Sequence, residues 1–152
     1  MAIPLDAERY FVSVTRLRLR SWRHWPLFTW HNLWITRQAT RTPGFVGGYL
    51  GADRDKVYWT VTLWERQAAM ALLRDQGAHR RVMPRLQDWC DEAAVAHWQQ
   101  ATPDLPSVEQ AYQVLLKKGH LTGLKHPNRE HQQHQIAPPV APARLPLKPA
   151  VG

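Results

Sequence analysis

The stretch KVYWTVTLWERQAAMALLRDQGAHRRVM, residues 56–83, decides the fold. Its first half alternates. Val57, Trp59, Val61 and Leu63 fall on one face of an extended chain, and Tyr58, Thr60, Thr62 and Trp64 on the other, the period of two that side chains follow on a strand. Past Trp64-Glu65 the pattern becomes helical from about Arg66 to Gln76, where Gly77 ends or kinks it. A second helical piece spans about His79 to Trp89, interrupted by Pro84. Neither strand face is polar throughout, so both need cover: helices on one, and a second layer or a ligand on the other.

Towards the N-terminus, residues 10–20 (YFVSVTRLRLR) alternate and predict a first strand, with Phe11, Ser13, Thr15, Leu17 and Leu19 sharing one face. Residues 22–41 place apolar side chains at three- and four-residue steps, which predicts a helix with a wide apolar stripe. Ser21 suits its N-cap, and Thr42-Pro43-Gly44 stops it. The glycine-rich FVGGYLGAD then forms a strand that turns at residues 53–55, with Gly47 and Gly48 marking a bulge or close packing. Residues 92–98, EAAVAHW, give a last strand. The order is β-α-β-β-α-β, an α+β ferredoxin-like arrangement of one antiparallel sheet with both helices on one face.

The character changes after Trp98. Residues 1–99 are expected to form the domain and residues 100–119 a linker with a C-terminal helix opened by Pro106 and closed by Gly119. Residues 120–152 are a basic tail rich in Pro and His, whose composition predicts a disordered or extended chain.

A chain of 152 residues with 44% hydrophobic content holds one domain and a tail and buries a core unaided. Its single cysteine, Cys90, forms no internal disulfide, which points to a reducing compartment. No apolar run approaches the roughly 20 residues of a membrane-spanning helix, and the start lacks the order of a secretory signal. A soluble, cytoplasmic protein is expected. The net charge of +8 suits an anionic partner, but no nucleic-acid motif accompanies it, so no specific nucleic-acid partner is expected. A membrane surface and an acidic protein remain open.

Thr42-Pro-Gly-Phe45 before the second strand, Trp59-Thr-Val-Thr-Leu-Trp-Glu65 at the third and Gly77-Ala-His79 in the second helical region together resemble the dimeric α+β barrel superfamily. Within it, the chain resembles the antibiotic-biosynthesis-monooxygenase-like group over residues 10–98. The resemblance implies a cleft between sheet and helices and a homodimer packed sheet against sheet. A bare apolar sheet face would otherwise stand in water. It also implies that no cofactor is needed. The haem-degrading branch carries a His near Met83 and a Trp near Leu73, and both positions depart from that pattern, so haem is disfavoured.

The candidate site residues follow. His31 and His79 are candidate bases, because a pocket imidazole moves protons near neutral pH; a surface or helix-cap His is the competing account of His79. Asn32 is a candidate orienting group, and Trp30, Trp34, Trp59 and Trp64 are candidate walls for an aromatic or polycyclic ligand. The alternative for the first helix is a bulky stripe packed on the sheet, or Trp and Arg at a membrane interface. Arg16, Arg18 and Arg20 share a strand face and are candidates for an anionic group or partner. No metal site is expected, since His120, His126, His131 and His134 lack metal-ligand spacing and Cys90 stands alone. Two functions compete: a ligand-binding, cofactor-independent monooxygenase, and a non-catalytic subunit docked on a larger complex through residues 120–152. Peripheral membrane association is a third.

Overall fold

Alternation in the sequence becomes a sheet, and the sheet is larger than the ferredoxin-like unit alone. The computed structural model describes residues 10–75 and 77–150, apart from the side chains of Ala78 and His79. Strand β1 (Tyr10–Leu19) leads through a short 3₁₀ turn into α1 (Trp25–Arg41), β2 (Phe45–Ala52) and β3 (Val57–Trp64). Helices α2 (Gln67–Asp75) and α3 (Gly77–Trp89) follow, then β4 (Cys90–Gln100). Ser21 caps the 3₁₀ turn by accepting from the Arg23 backbone N–H at 3.3 Å. Pro84 lies inside a continuous α3 instead of interrupting it. Proline removes one helical hydrogen bond, but Val82 and Leu86, on either side of it, pack in one core cluster and hold both halves in line.

The α4 helix (Val108–Lys118), β5 (His120–Leu121), a short α5 (Arg129–Gln132) and β6 (Ala143–Leu147) complete the chain. All pairings are antiparallel in the order β5-β4-β1-β3-β2-β6, so the four expected strands form the centre of a six-stranded sheet. Of the two alternatives expected for the tail, disordered or extended, its described part is extended, apart from α5, and held in place. Residues 143–147 pair with β2 from Gly48↔Leu147 to Ala52↔Ala143, and backbone N–H groups of Thr122, Lys125 and Asn128 donate to carbonyls of Ala93, Gln87 and Asp91. Composition measures apolar side chains, whereas backbone pairing supplies much of this order.

Glycine matters in β2 for one steric reason. A Cβ on Gly48 would stand 2.3 Å from the Val61 carbonyl oxygen, so only a bare backbone fits there. The register also shifts between Phe45 and Gly47, the bulge the paired glycines suggested.

The two sheet faces have different covers. On one, Val12, Val14, Trp59, Val61, Leu63, Ala94 and Ala96 pack with Val108, Ala111 and Leu115 of α4. A capping box of Ser107 and Gln110 starts that helix, and the Tyr49 hydroxyl donates to the Pro106 carbonyl at 2.7 Å. The apolar demand that motivated a sheet-to-sheet homodimer is thus met within one chain. On the opposite face lie α1, α2 and α3. The core there is in two pieces: Phe11, Phe45, Trp64, Met70 and Leu73 with their neighbours, and Leu19, Phe28, Val82, Trp89 and Cys90 with theirs. Among the described residues, no helix is long and apolar enough to cross a membrane.

Candidate functional site

A cavity of about 270 Å³ lies between the two halves of the helix-side core, just below the usual range for ligand pockets. Its floor is set by strand register. Ser13 of β1 pairs with Thr62 of β3 on one side and His97 of β4 on the other, while Thr15 pairs with Thr60 and Val95. Alternation aims all six at the helices, and all six line the cavity. The roof comes from α1 through Asn32, Ile35, Thr36 and Ala39, with Met70 and Leu73 from α2 and Met83, Leu86 and Gln87 from α3. Leu73 and Met83, the two positions compared above with the haem-degrading branch, are both in this roof.

The chemistry of the lining is hydroxyl and amide on an apolar ground. Among the described residues no carboxylate lines it, and Arg74 is the guanidinium at its wall. His97 lines the cavity and is exposed to solvent, with its ring tilted against Phe11 at 5.3 Å between centroids. Its partial desolvation, aided by the Arg74 and His120 charges, holds its pKa below the ordinary histidine value. The ring is therefore neutral at neutral pH and free to accept a proton. Thr62 is held in place from below, because Trp64 Nε1 donates to its hydroxyl oxygen at 2.9 Å.

The residues anticipated from sequence are scattered by the fold. Asn32 lines the cavity. Trp64 is fully buried behind it against Phe45. Trp59 is buried on the opposite sheet face, beneath the Arg16 guanidinium. Trp30 and Trp34 stand on the outer face of α1, ring to ring at 6.0 Å and exposed. None of these four Trp residues is in the lining of this cavity: a helix with bulky apolar side chains on two sides and a strand apolar on both faces do not announce which side looks inward. His31 faces Arg85 at 3.3 Å and packs near Trp89, outside the cavity lining. The side chain of His79 lies outside the described residues.

The three arginines proposed for an anion are matched internally instead. Arg16 is buried with Glu92 at 2.9 Å. Arg18 bridges Asp55 and Asp91. Arg20 donates to the Asp88 backbone carbonyl at 2.6 Å and lies 3.5 Å from its carboxylate. Alternation across β1, β3 and β4 is the signal in the sequence for the remaining lining residues, since Ser13, Thr15, Thr60, Thr62 and His97 are polar positions on one sheet face. Burial raises the Cys90 thiol to about 12, which leaves it inert as a thiolate nucleophile.

Comparison with known proteins agrees with this architecture. No protein-family model matches the chain, and no curated protein matches it. Solved structures do. A candidate antibiotic biosynthesis monooxygenase from Nitrosomonas europaea is similar with a TM-score of 0.56 at 11% identity, over 63% of this chain and 94% of that one. A conserved protein from Methanosarcina mazei gives 0.55 at 8% identity, over 64% and 99%. SnoaB, a cofactor-independent oxygenase from Streptomyces nogalater, gives 0.51 at 17% identity, over 65% and 99%. The chain thus has the ferredoxin-like α+β fold of the antibiotic-biosynthesis-monooxygenase-like proteins, and more than a third of it lies outside each of these matches.

Proposed function

We propose that this protein binds a small aromatic ligand bearing hydroxyl or carbonyl oxygens in the cavity between sheet and helices, and oxygenates it without a metal or flavin. One observation carries the proposal: the row Thr62–Ser13–His97, which sets a neutral imidazole beside hydroxyls on an otherwise apolar floor. The likeness to a cofactor-independent oxygenase supports the reaction class as analogy of fold.

In this mechanism His97 takes a proton from an acidic hydroxyl or methylene of the substrate, and the resulting anion transfers an electron to dioxygen. Carbon–oxygen bond formation gives a peroxide anion, to which the His97 imidazolium returns its proton. Loss of water from the hydroperoxide leaves a carbonyl, so that R₂CH₂ and O₂ become R₂C=O and H₂O. Asn32 and the threonine hydroxyls orient the ligand, while the apolar walls exclude water from the anion. His79 is the second candidate base. A homodimer fits this proposal through a surface other than the one α4 covers. The rival role is assembly on a larger complex through residues 120–152; of these, 120–121 and 143–147 pair with strands of the chain's own sheet.

Oxygen uptake with hydroxylated aromatic substrates tests the proposal. His97→Ala is expected to lower turnover by roughly 10²–10⁴-fold without loss of fold. Equal uptake by wild type, His97→Ala and His79→Ala would sink it.

A further inference from the structure

Helix α1 is apolar on both sides, a pattern normally confined to buried helices, yet only one side is covered. Its inner side packs Phe28 and Ala39 in the core. The outer side leaves Leu27, Trp30, Leu33 and Trp34 in solvent, with Trp30 57% exposed, while Trp22 and Trp25 at the helix start are also exposed but lie beside Lys56 and Tyr58. Leu27, Trp30, Leu33 and Trp34 share one side of the helix by their spacing and form a strip along its surface. Bulky side chains of this kind are usually buried, and a contiguous exposed strip marks an interaction site.

The charges around the strip say what covers it. From Tyr10 to Ala52 the sequence contains no Asp or Glu. Arg23 at the helix start and Arg37 and Arg41 further along are exposed, and the Arg37 guanidinium lies 6.0 Å from the Trp34 ring centre, whereas Lys56, 5.6 Å from the Trp22 ring, is already paired with Asp55 at 3.1 Å. A second copy docked face to face on the Trp30–Trp34 side would bring Arg37 and Arg41 against cations with no carboxylate of the helix between them, which disfavours self-association there. Indoles ringed by arginines on a helix lying flat match the headgroup boundary of an anionic bilayer.

We infer that the outer face of α1 docks this protein on membranes containing anionic lipid. The helix lies in the interface plane: the indoles enter the headgroup region, and Arg23, Arg37 and Arg41 meet lipid phosphates. This inference stands apart from the chemistry of the cavity, although the same helix forms the cavity roof and would bring it close to apolar compounds dissolved in the bilayer.

Cosedimentation of the full chain with large vesicles of phosphatidylcholine, with and without phosphatidylglycerol, tests it. Binding is expected to the anionic vesicles and to weaken with salt. Arg37→Gln and Arg41→Gln should each weaken it about five-fold. The double variant Trp30→Ser/Trp34→Ser should lose binding while keeping its circular dichroism and melting temperature. Two results on vesicles overturn the inference: no binding to anionic vesicles at low salt, or binding that survives the Trp variant, which assigns it to net charge alone. A dimer in sedimentation equilibrium that the Trp variant dissolves also overturns it, making the strip an interface between copies.

Discussion

The indole Nε1 of Trp64 donates to the hydroxyl oxygen of Thr62 at 2.9 Å, two residues back on the same strand face. Trp64 belongs to the core and Thr62 to the cavity floor, so this bond ties the packing of one to the geometry of the other. Thr62→Val would leave a buried N–H without an acceptor, at a cost of about 1–3 kcal/mol. Trp64→Ala would remove the ring as well and cost about 3–5 kcal/mol. Denaturant midpoints of the two variants check the order. Equal, near-neutral midpoints would mean that the ring is not in the core.

Buried charge predicts a second effect. Arg16 and Glu92 meet at 2.9 Å with both residues buried, and Glu92 also accepts from Asn128 at 2.8 Å. Glu92→Ala strands the Arg16 guanidinium, whose Nε already lacks an acceptor, and is expected to destabilise by about 3–5 kcal/mol. A melting temperature within one degree or so of wild type would show that water reaches the arginine.

The cover provided by α4 makes a third prediction. Leu115 and Ala111 lie fully inside the interface with the sheet. Leu115→Ala is expected to cost about 2–5 kcal/mol. Ala111→Glu, which places a charge in that contact, should undock the helix and bare Val12, Val14 and Val61. Sedimentation should then show species heavier than the 17.6 kDa chain. An unchanged mass for the Glu variant, with native secondary structure, would mean that α4 is not what keeps that face from other copies.

Proton linkage gives a fourth. The lowered His97 pKa means that the base is neutral above its own titration point and protonated below it. Turnover should rise with pH through a midpoint below 6.5 and level off above it. Buried His24 is lowered too, first by desolvation and then by Arg20 and Arg23. Its unfolded form binds a proton more readily than its folded form, so its contribution to stability is full above about 6.5 and falls as the pH drops towards the folded value. A pH–rate profile and acid titrations of stability check both signs. A turnover midpoint above 6.5 would exclude His97 in this role.

The central fold was legible because β1, β3 and α1 repeat strictly with period two or with helical spacing. The tail was not. Residues 143–147 join the sheet through backbone groups, which composition does not register, and Leu147 alone of that strand is buried. At the site, Asn32 was legible as a polar residue on an apolar helix. His97 was missed although its partner Ser13 was already on one face of β1, in register with Thr62 of β3. Exposure was the harder question. Trp30 and Trp34 follow the same three- and four-residue spacing as the buried Phe28 and Ala39, so periodicity alone could not say which stripe faced the sheet.

The central claim is that ligand enters the cavity above Ser13, Thr15 and Thr60. Isothermal titration of hydroxylated two- and three-ring aromatics against wild type and Thr60→Phe tests it most directly, because the new ring fills the cavity from a partly exposed position. The account predicts binding by wild type and its loss in the filled variant, with the melting temperature retained. Equal binding by both proteins, or none by wild type across the set, would contradict it.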